Sequence, residues 1–241
     1  MKKILFLLVA LLCTLPLLAG EPYFCTRPGT KLHYQRYKVK NNKLSQTTLF
    51  EIESNTGSQV KYAVTMKKSN GSDLFGGKTL LTAYIAPNGD TSLDFGQTVK
   101  SFVQNIFPSA RITATESMAI LPADMQPGDT LPETHCTVKM AGISAYFHVT
   151  GRHVLRRERI TTPAGTFDCV VVRDFKEEDV PLHHKDNWLD SYYAPGLGYV
   201  RHDIYDSNMR VIESEVLVSI ETPGALPAAS DGRPCPQISN P

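Results

Sequence analysis

The sequence predicts an all-β fold: an antiparallel, strongly curved sheet or open barrel with one short amphipathic helix. Apolar and polar residues alternate with period two through run after run, which puts one face of each strand on a core and the other in water. Pro/Gly turns separate the runs. One segment breaks this rhythm with a helical one.

Ahead of the strands, Met1-Lys2-Lys3, an apolar run from Ile4 to Leu12, Pro16 and the small pair Ala19-Gly20 have the layout of a secretory signal peptide over residues 1–20. The run is too short to span a bilayer comfortably, and no later stretch is apolar enough to cross one. Cys13 and Cys25 follow Leu12 and Phe24, not the small residue that a lipid anchor requires. The expectation is an exported chain, periplasmic or extracellular, soluble after cleavage at Ala19 or Gly20. Losing Lys2 and Lys3 from 25 basic residues leaves 23 against 24 acidic ones, a formal charge of −1. Such a balance gives no electrostatic footing for nucleic acid or anionic lipid. Residues 21–220 are enough for one core and read as a single domain.

Leu32, Tyr34 and Arg36 alternate with polar neighbours as a first strand. Thr48, Phe50 and Ile52 oppose Leu49, Glu51 and Glu53 in the second, and Val60, Tyr62, Val64 and Met66 oppose Gln59, Lys61 and Thr65 in the third. Thr79 to Ala86 is a further strand, ended by Pro87-Asn88-Gly89-Asp90. Asp94-Phe95-Gly96-Gln97 then resembles a capping box, and Val99, Phe102, Val103 and Ile106 follow at helical spacing until Pro108. That stripe packs a core, or forms a lid over a ligand cavity. Ile112, Ala114, Glu116, Met118 and Ile120 read as one strand, and a Met125–Pro132 turn leads into the strand of Cys136. Ile143 to Val149 alternates again, and His153 to Ile160 enters a hairpin at Thr161–Phe167. Tyr192–Val200 repeats that arrangement, and Asp206-Ser207-Asn208 turns into a last strand, Met209 to Ile220. Residues 221–241 are a Pro-rich tail of extended composition.

Four cysteines remain after the leader, an even number that in an oxidising compartment suggests two disulfides with three possible pairings. Cys25–Cys235 and Cys136–Cys169 are the preferred pairs. The alternative for Cys136 and Cys169 is two small buried apolar residues.

Thr161–Val172 and Tyr193–Arg201 resemble the TapB-like group of bacterial exported proteins, a domain-of-unknown-function family. In that group a T-x-A-G-T-F-x-C hairpin precedes a W/Y-Y-A-x-G-x-G-x-V strand. The resemblance implies a curved sheet or open barrel similar to periplasmic lipoprotein carriers, and it brings no catalytic residues.

Chemistry-bearing clusters are few. His183-His184-Lys185-Asp186 reads as a polar loop, since adjacent histidines on a strand face opposite sides and do not share an ion. There is no G-x-S-x-G elbow and no phosphate-cradling glycine loop. Glu177-Glu178-Asp179 and Glu213/Glu215 read as solvated faces, and Arg156-Arg157-Glu158-Arg159 as the wet side of a strand. The expectation is a non-enzymatic binding module, without cofactor or metal, for a lipid, another apolar molecule or a polypeptide segment. The alternative is an interaction component of the cell envelope with an exposed aromatic patch around Trp188, Tyr192 and Tyr193; a metal-dependent hydrolase on His183, His184 and Asp186 is a distant third.

Overall fold

The structure, a computed structural model, describes residues 20–224. All of the expected leader except Gly20, and most of the Pro-rich tail, lie outside the described residues. Among the described residues, thirteen strands pair antiparallel in one sheet that is not hydrogen-bonded shut. In chain order they are β1 (Lys31–Lys38), β2 (Lys43–Asn55), β3 (Gln59–Lys68), β4 (Thr79–Ile85), β5 (Thr91–Asp94), β6 (Ile112–Ala114), β7 (Met118–Leu121), β8 (Thr134–Met140), β9 (Ile143–Thr162), β10 (Gly165–Val180), β11 (His183–Ala194), β12 (Gly198–Tyr205) and β13 (Val211–Glu221). Across the sheet the order is β6-β8-β9-β10-β11-β12-β13-β1-β2-β3-β4-β5-β7. Only Thr115, Glu116 and Ser117 separate β6 from β7 in the chain, yet these are the two edges. The sheet must therefore curl until its edges meet, which makes it an open barrel.

Helix α1 (Phe95–Ile106) follows β5. Asp94 caps it, its Oδ1 accepting the Gln97 N–H at 2.9 Å. Gln97 does not reach back as a full capping box would; its amide donates to Ser101 Oγ. The helix packs against β4, β6 and β8 along the seam between the two edges.

The segment from Gly20 to Thr30 closes one end. Gly20 N donates to Asn88 O at 3.0 Å, Gly196 N to Pro22 O at 2.8 Å and Asn55 Nδ2 to Thr26 O at 2.9 Å, so the segment crosses three turns of the barrel end. Tyr23, Phe24 and Cys25 are buried there. Gly89 shows how close the approach is. It has a φ of +92°, and a Cβ on it would meet the carbonyl oxygen of Gly20.

Several expected elements change. The run Ile112–Ile120 is not one strand, because Thr115–Ser117 carries the chain from one edge to the other. His183–Asp186 is not a loop: it opens β11, which pairs with β10 up to a turn at Pro181-Leu182, with Glu178 opposite Lys185 and Asp179 opposite His184. Charged pairs across the two strands support a hairpin with no apolar run to announce it. β5 has no counterpart in the expected elements. β9 runs unbroken for 20 residues, joining what reads as two segments.

The Cys136–Cys169 bridge is a correction. Both thiols are free and buried. Cys136 pairs with Phe147 and Cys169 with Glu158 on either side of β9, and those partners stand about 35 Å apart along the strand. A disulfide needs Cα atoms within about 7 Å. Burial pushes the Cys169 thiol up to about 12 and the Cys136 thiol up to about 11, so both are inert apolar fillers at neutral pH. Cys235, the expected partner of Cys25, lies outside the described residues.

Candidate functional site

The inward face of β1, β2 and β3 is set by parity. Leu32 and Tyr34, Phe50 and Ile52, and Tyr62, Val64 and Met66 all line one cavity of about 280 Å3. Tyr23, Phe24 and Cys25 of the leading segment form its floor, while Leu81, Leu93 and Phe102 close its side. The walls are aromatic and interlocked. Phe24 meets Tyr62 edge-on at 5.1 Å, Tyr34 lies 5.5 Å from Phe50, and Tyr34 lies 4.8 Å from Tyr199. Tyr34 satisfies its hydroxyl by donating to Tyr199 O at 3.0 Å, as a buried phenol must.

A second cavity of about 370 Å3 adjoins the first, and Met66, Tyr193 and Tyr199 line both. This one is polar. Arg36, two residues beyond Tyr34 on the same face of β1, donates from Nη2 to Glu215 Oε2 at 2.9 Å. Thr48 donates to the other Glu215 oxygen at 2.7 Å and itself receives the Gln46 amide at 3.0 Å. Glu215 is 3% exposed. It is an interior ion-pair partner, not part of a solvated face as its spacing from Glu213 suggests. The Nε of Arg36 is buried without a hydrogen-bond partner.

Across the same chamber, Ser191 and His202 sit opposite each other in the β11–β12 register, with Ser191 Oγ 2.8 Å from His202 Nδ1. Burial, reinforced by the Arg36 charge, pushes the His202 imidazole down to about 4, so at neutral pH it contributes hydrogen bonds and no charge. Exposure rises toward the β10–β11 turn, where Lys176 pairs with Glu178 and Lys185 stands in solvent. The arrangement places an aromatic pocket beside one lined by charged and polar side chains that are mostly paired.

The four residues of the expected helical lid divide. Phe102 lines the apolar cavity and packs on Phe75 at 4.9 Å. Val99 and Val103 instead pack against Ile112, Cys136 and Val138, and Ile106 is 43% exposed. Thr98 and Phe95, not singled out by the sequence pattern, line the apolar and polar cavities respectively. His183, His184 and Asp186 are exposed on the first turn-proximal residues of β11. Among the described residues no three His, Cys, Asp or Glu side chains come together in a metal-binding arrangement, and no helix is long and apolar enough to cross a membrane. Trp188 packs on Phe175 at 5.0 Å and Tyr192 is 4% exposed, so the expected aromatic surface patch is not formed. On the outer face Arg156 and Arg201 lie over the Tyr192 ring at 5.9 and 5.3 Å, which gives Arg156 a packing role beyond a wet strand face.

The DUF3108-like family matches residues 27–217 of this chain. That match is to the DUF3108-like family and not to the TapB-like group. Two solved structures share the fold. The first, from Parabacteroides distasonis and described as a "putative lipoprotein", is 22% identical with a TM-score of 0.67, over 84% of this chain and 99% of that one. The second, a "putative exported protein with YmcC-like fold" from Bacteroides fragilis, is 20% identical with a TM-score of 0.66, over 85% of this chain and 100% of that one. No curated protein matches the chain.

Proposed function

Because this chain belongs to the DUF3108-like family, whose fold is here an open barrel around two joined cavities, we propose that it is a non-enzymatic binding module for an amphiphilic molecule held inside the barrel. The observation that carries this reading is the apolar cavity of about 280 Å3 with a polar one beside it and a shared neck at Met66, Tyr193 and Tyr199. The volume is close to the lower end of the range of small-molecule sites, roughly 300–1,000 Å3, so a single short chain fits better than a bulky lipid. The leader-like start of the sequence supports an exported location, and the TapB-like motifs support a role at the bacterial cell envelope.

Native mass spectrometry of mature protein purified from its own envelope, with lipid extraction, tests the reading. A stoichiometric apolar or amphiphilic mass is expected. A second arm uses N-phenyl-1-naphthylamine, whose fluorescence rises on entering a dry aromatic pocket. Thr98→Phe, which fills the cavity from the half-buried face of α1, is expected to reduce probe uptake several-fold. A protein that carries no such mass and gives no probe signal above that of Thr98→Phe sinks the proposal.

A further inference from the structure

We propose that the polar cavity is a head-group site that reads an oxygen acceptor, with Arg36 as the specificity-determining donor; the ligand is then an acyl amphiphile ending in a carboxylate or an ester carbonyl. This rests on the binding reading above and adds the chemistry of the head.

The alternation of β1 places Arg36 one inward step beyond Tyr34, roughly 7 Å along the strand. A chain seated against Tyr34 and Met66 therefore ends beside the guanidinium. Arginine presents its N–H groups as a fixed fork suited to carboxylate oxygens. Glu215 takes one terminal nitrogen at 2.9 Å, and its other oxygen is taken by Thr48 at 2.7 Å. The Nε–H is left over, buried and without a partner. A buried donor left without a partner is unfavourable, so it calls for an acceptor.

The surrounding charges decide what kind of head that is. Each chamber carboxylate is already engaged: Glu215 by Arg36, Glu178 by Lys176, and Asp174 by Arg152 at 3.1 Å. His202 is neutral and lies 2.8 Å from Ser191. What the Arg36 Nε–H lacks is an acceptor. A cationic head would find its carboxylates occupied, whereas a carboxylate or carbonyl oxygen completes the Arg36 fork.

The experiment displaces N-phenyl-1-naphthylamine from the full mature chain with decanoate, methyl decanoate, decyltrimethylammonium and decane. It is repeated with Arg36→Lys, which keeps the charge that faces Glu215 and removes the Nε–H. For the wild type, decanoate or its ester is expected to displace the probe at about tenfold lower concentration than the ammonium or the hydrocarbon. Arg36→Lys is expected to erase that difference while leaving displacement by decane unchanged. Preference for decanoate alone assigns a free carboxylate, and equal preference for the ester assigns an acyl carbonyl. If all four displace equally, or if the preference survives in Arg36→Lys, the head-group site is overturned and the apolar site stands. Absence of probe uptake removes the binding reading and this one with it. Should Arg36→Lys not fold, the wild-type series decides alone.

Discussion

Buried polar residues do two separate things in this barrel, and His202 shows one of them by its titration. Burial and the Arg36 charge oppose its protonation, Lys176 opposes it further, and Glu215 and Asp203 favour it; the balance leaves the folded imidazole at about 4. The unfolded imidazole titrates near 6.5. Between those two values the unfolded chain takes up a proton that the folded chain refuses. The stability this group supports is complete above about pH 6.5 and is lost as the pH falls toward 4, by up to about 3 kcal/mol. His202→Gln, which can still hydrogen-bond Ser191, is expected to flatten this part of the pH profile. Urea unfolding at pH 7 and pH 4.5 on both proteins measures it, with the carboxylates common to both. Equal losses in the two proteins rule out the assignment. The pairing itself was out of reach of the sequence. Ser191 and His202 meet only because β11 and β12 hold that register above a bulge between Tyr192 and Tyr193. Arg36, by contrast, shares the parity of Leu32 and Tyr34, so its inward position is readable from the alternation.

At the scale of elements, local signals were legible and long-range ones were not. The inward residues of β3 follow from strict alternation, and α1 follows from Asp94, the helical stripe and Pro108. Alternation continues through Ile112–Ile120, however, and nothing local says that Thr115–Ser117 crosses between sheet edges. Placement of α1 shows why the crossing fits. Gly96 is buried in its first turn, where a Cβ would collide with the carbonyl oxygen of Thr115. Alanine is the better helix former by about 1 kcal/mol, so propensity alone predicts that Gly96→Ala stabilises. The contact is with backbone that cannot rotate away, and overpacking of this kind costs about 1–3 kcal/mol or more. The clash wins. Gly96→Ala is expected to lower Tm by several degrees in a thermal melt followed by circular dichroism. An unchanged or higher Tm means the helix slides at no cost, and that α1 is not fixed against the crossing segment.

Across the whole molecule, the barrel is closed by a seam instead of by strand pairing, and the seam has a polar lock. Its upper part is stitched by Thr115 N to Thr137 O at 3.1 Å, Thr137 N to Thr115 Oγ1 at 2.9 Å and His135 N to Ser117 Oγ at 3.0 Å. Below this, Arg152 of β9 reaches across: Nη1 donates to Pro132 O at 2.7 Å and to Ile120 O of β7 at 3.5 Å, while Nε donates to Asp174 Oδ1 at 3.1 Å. Arg152 is 4% exposed and Asp174 is 7% exposed. Burial raises the Asp174 carboxyl above its usual range even with Arg152 pulling it down. Arg152→Leu leaves that carboxylate buried and unpaired and frees two backbone carbonyls at the seam, a loss of roughly 3–5 kcal/mol. Removing both charges in Arg152→Leu/Asp174→Leu is expected to recover part of that loss, because the buried charge is gone while the carbonyls stay unsatisfied. Urea unfolding ranks the three proteins, and hydrogen exchange locates the damage. Amides of β7 and β8 are expected to lose protection in Arg152→Leu before those of β2 and β3, which lie away from the seam. A loss below about 1 kcal/mol, or a uniform rise in exchange across the sheet, would mean that the curl of the sheet holds the edges together without Arg152.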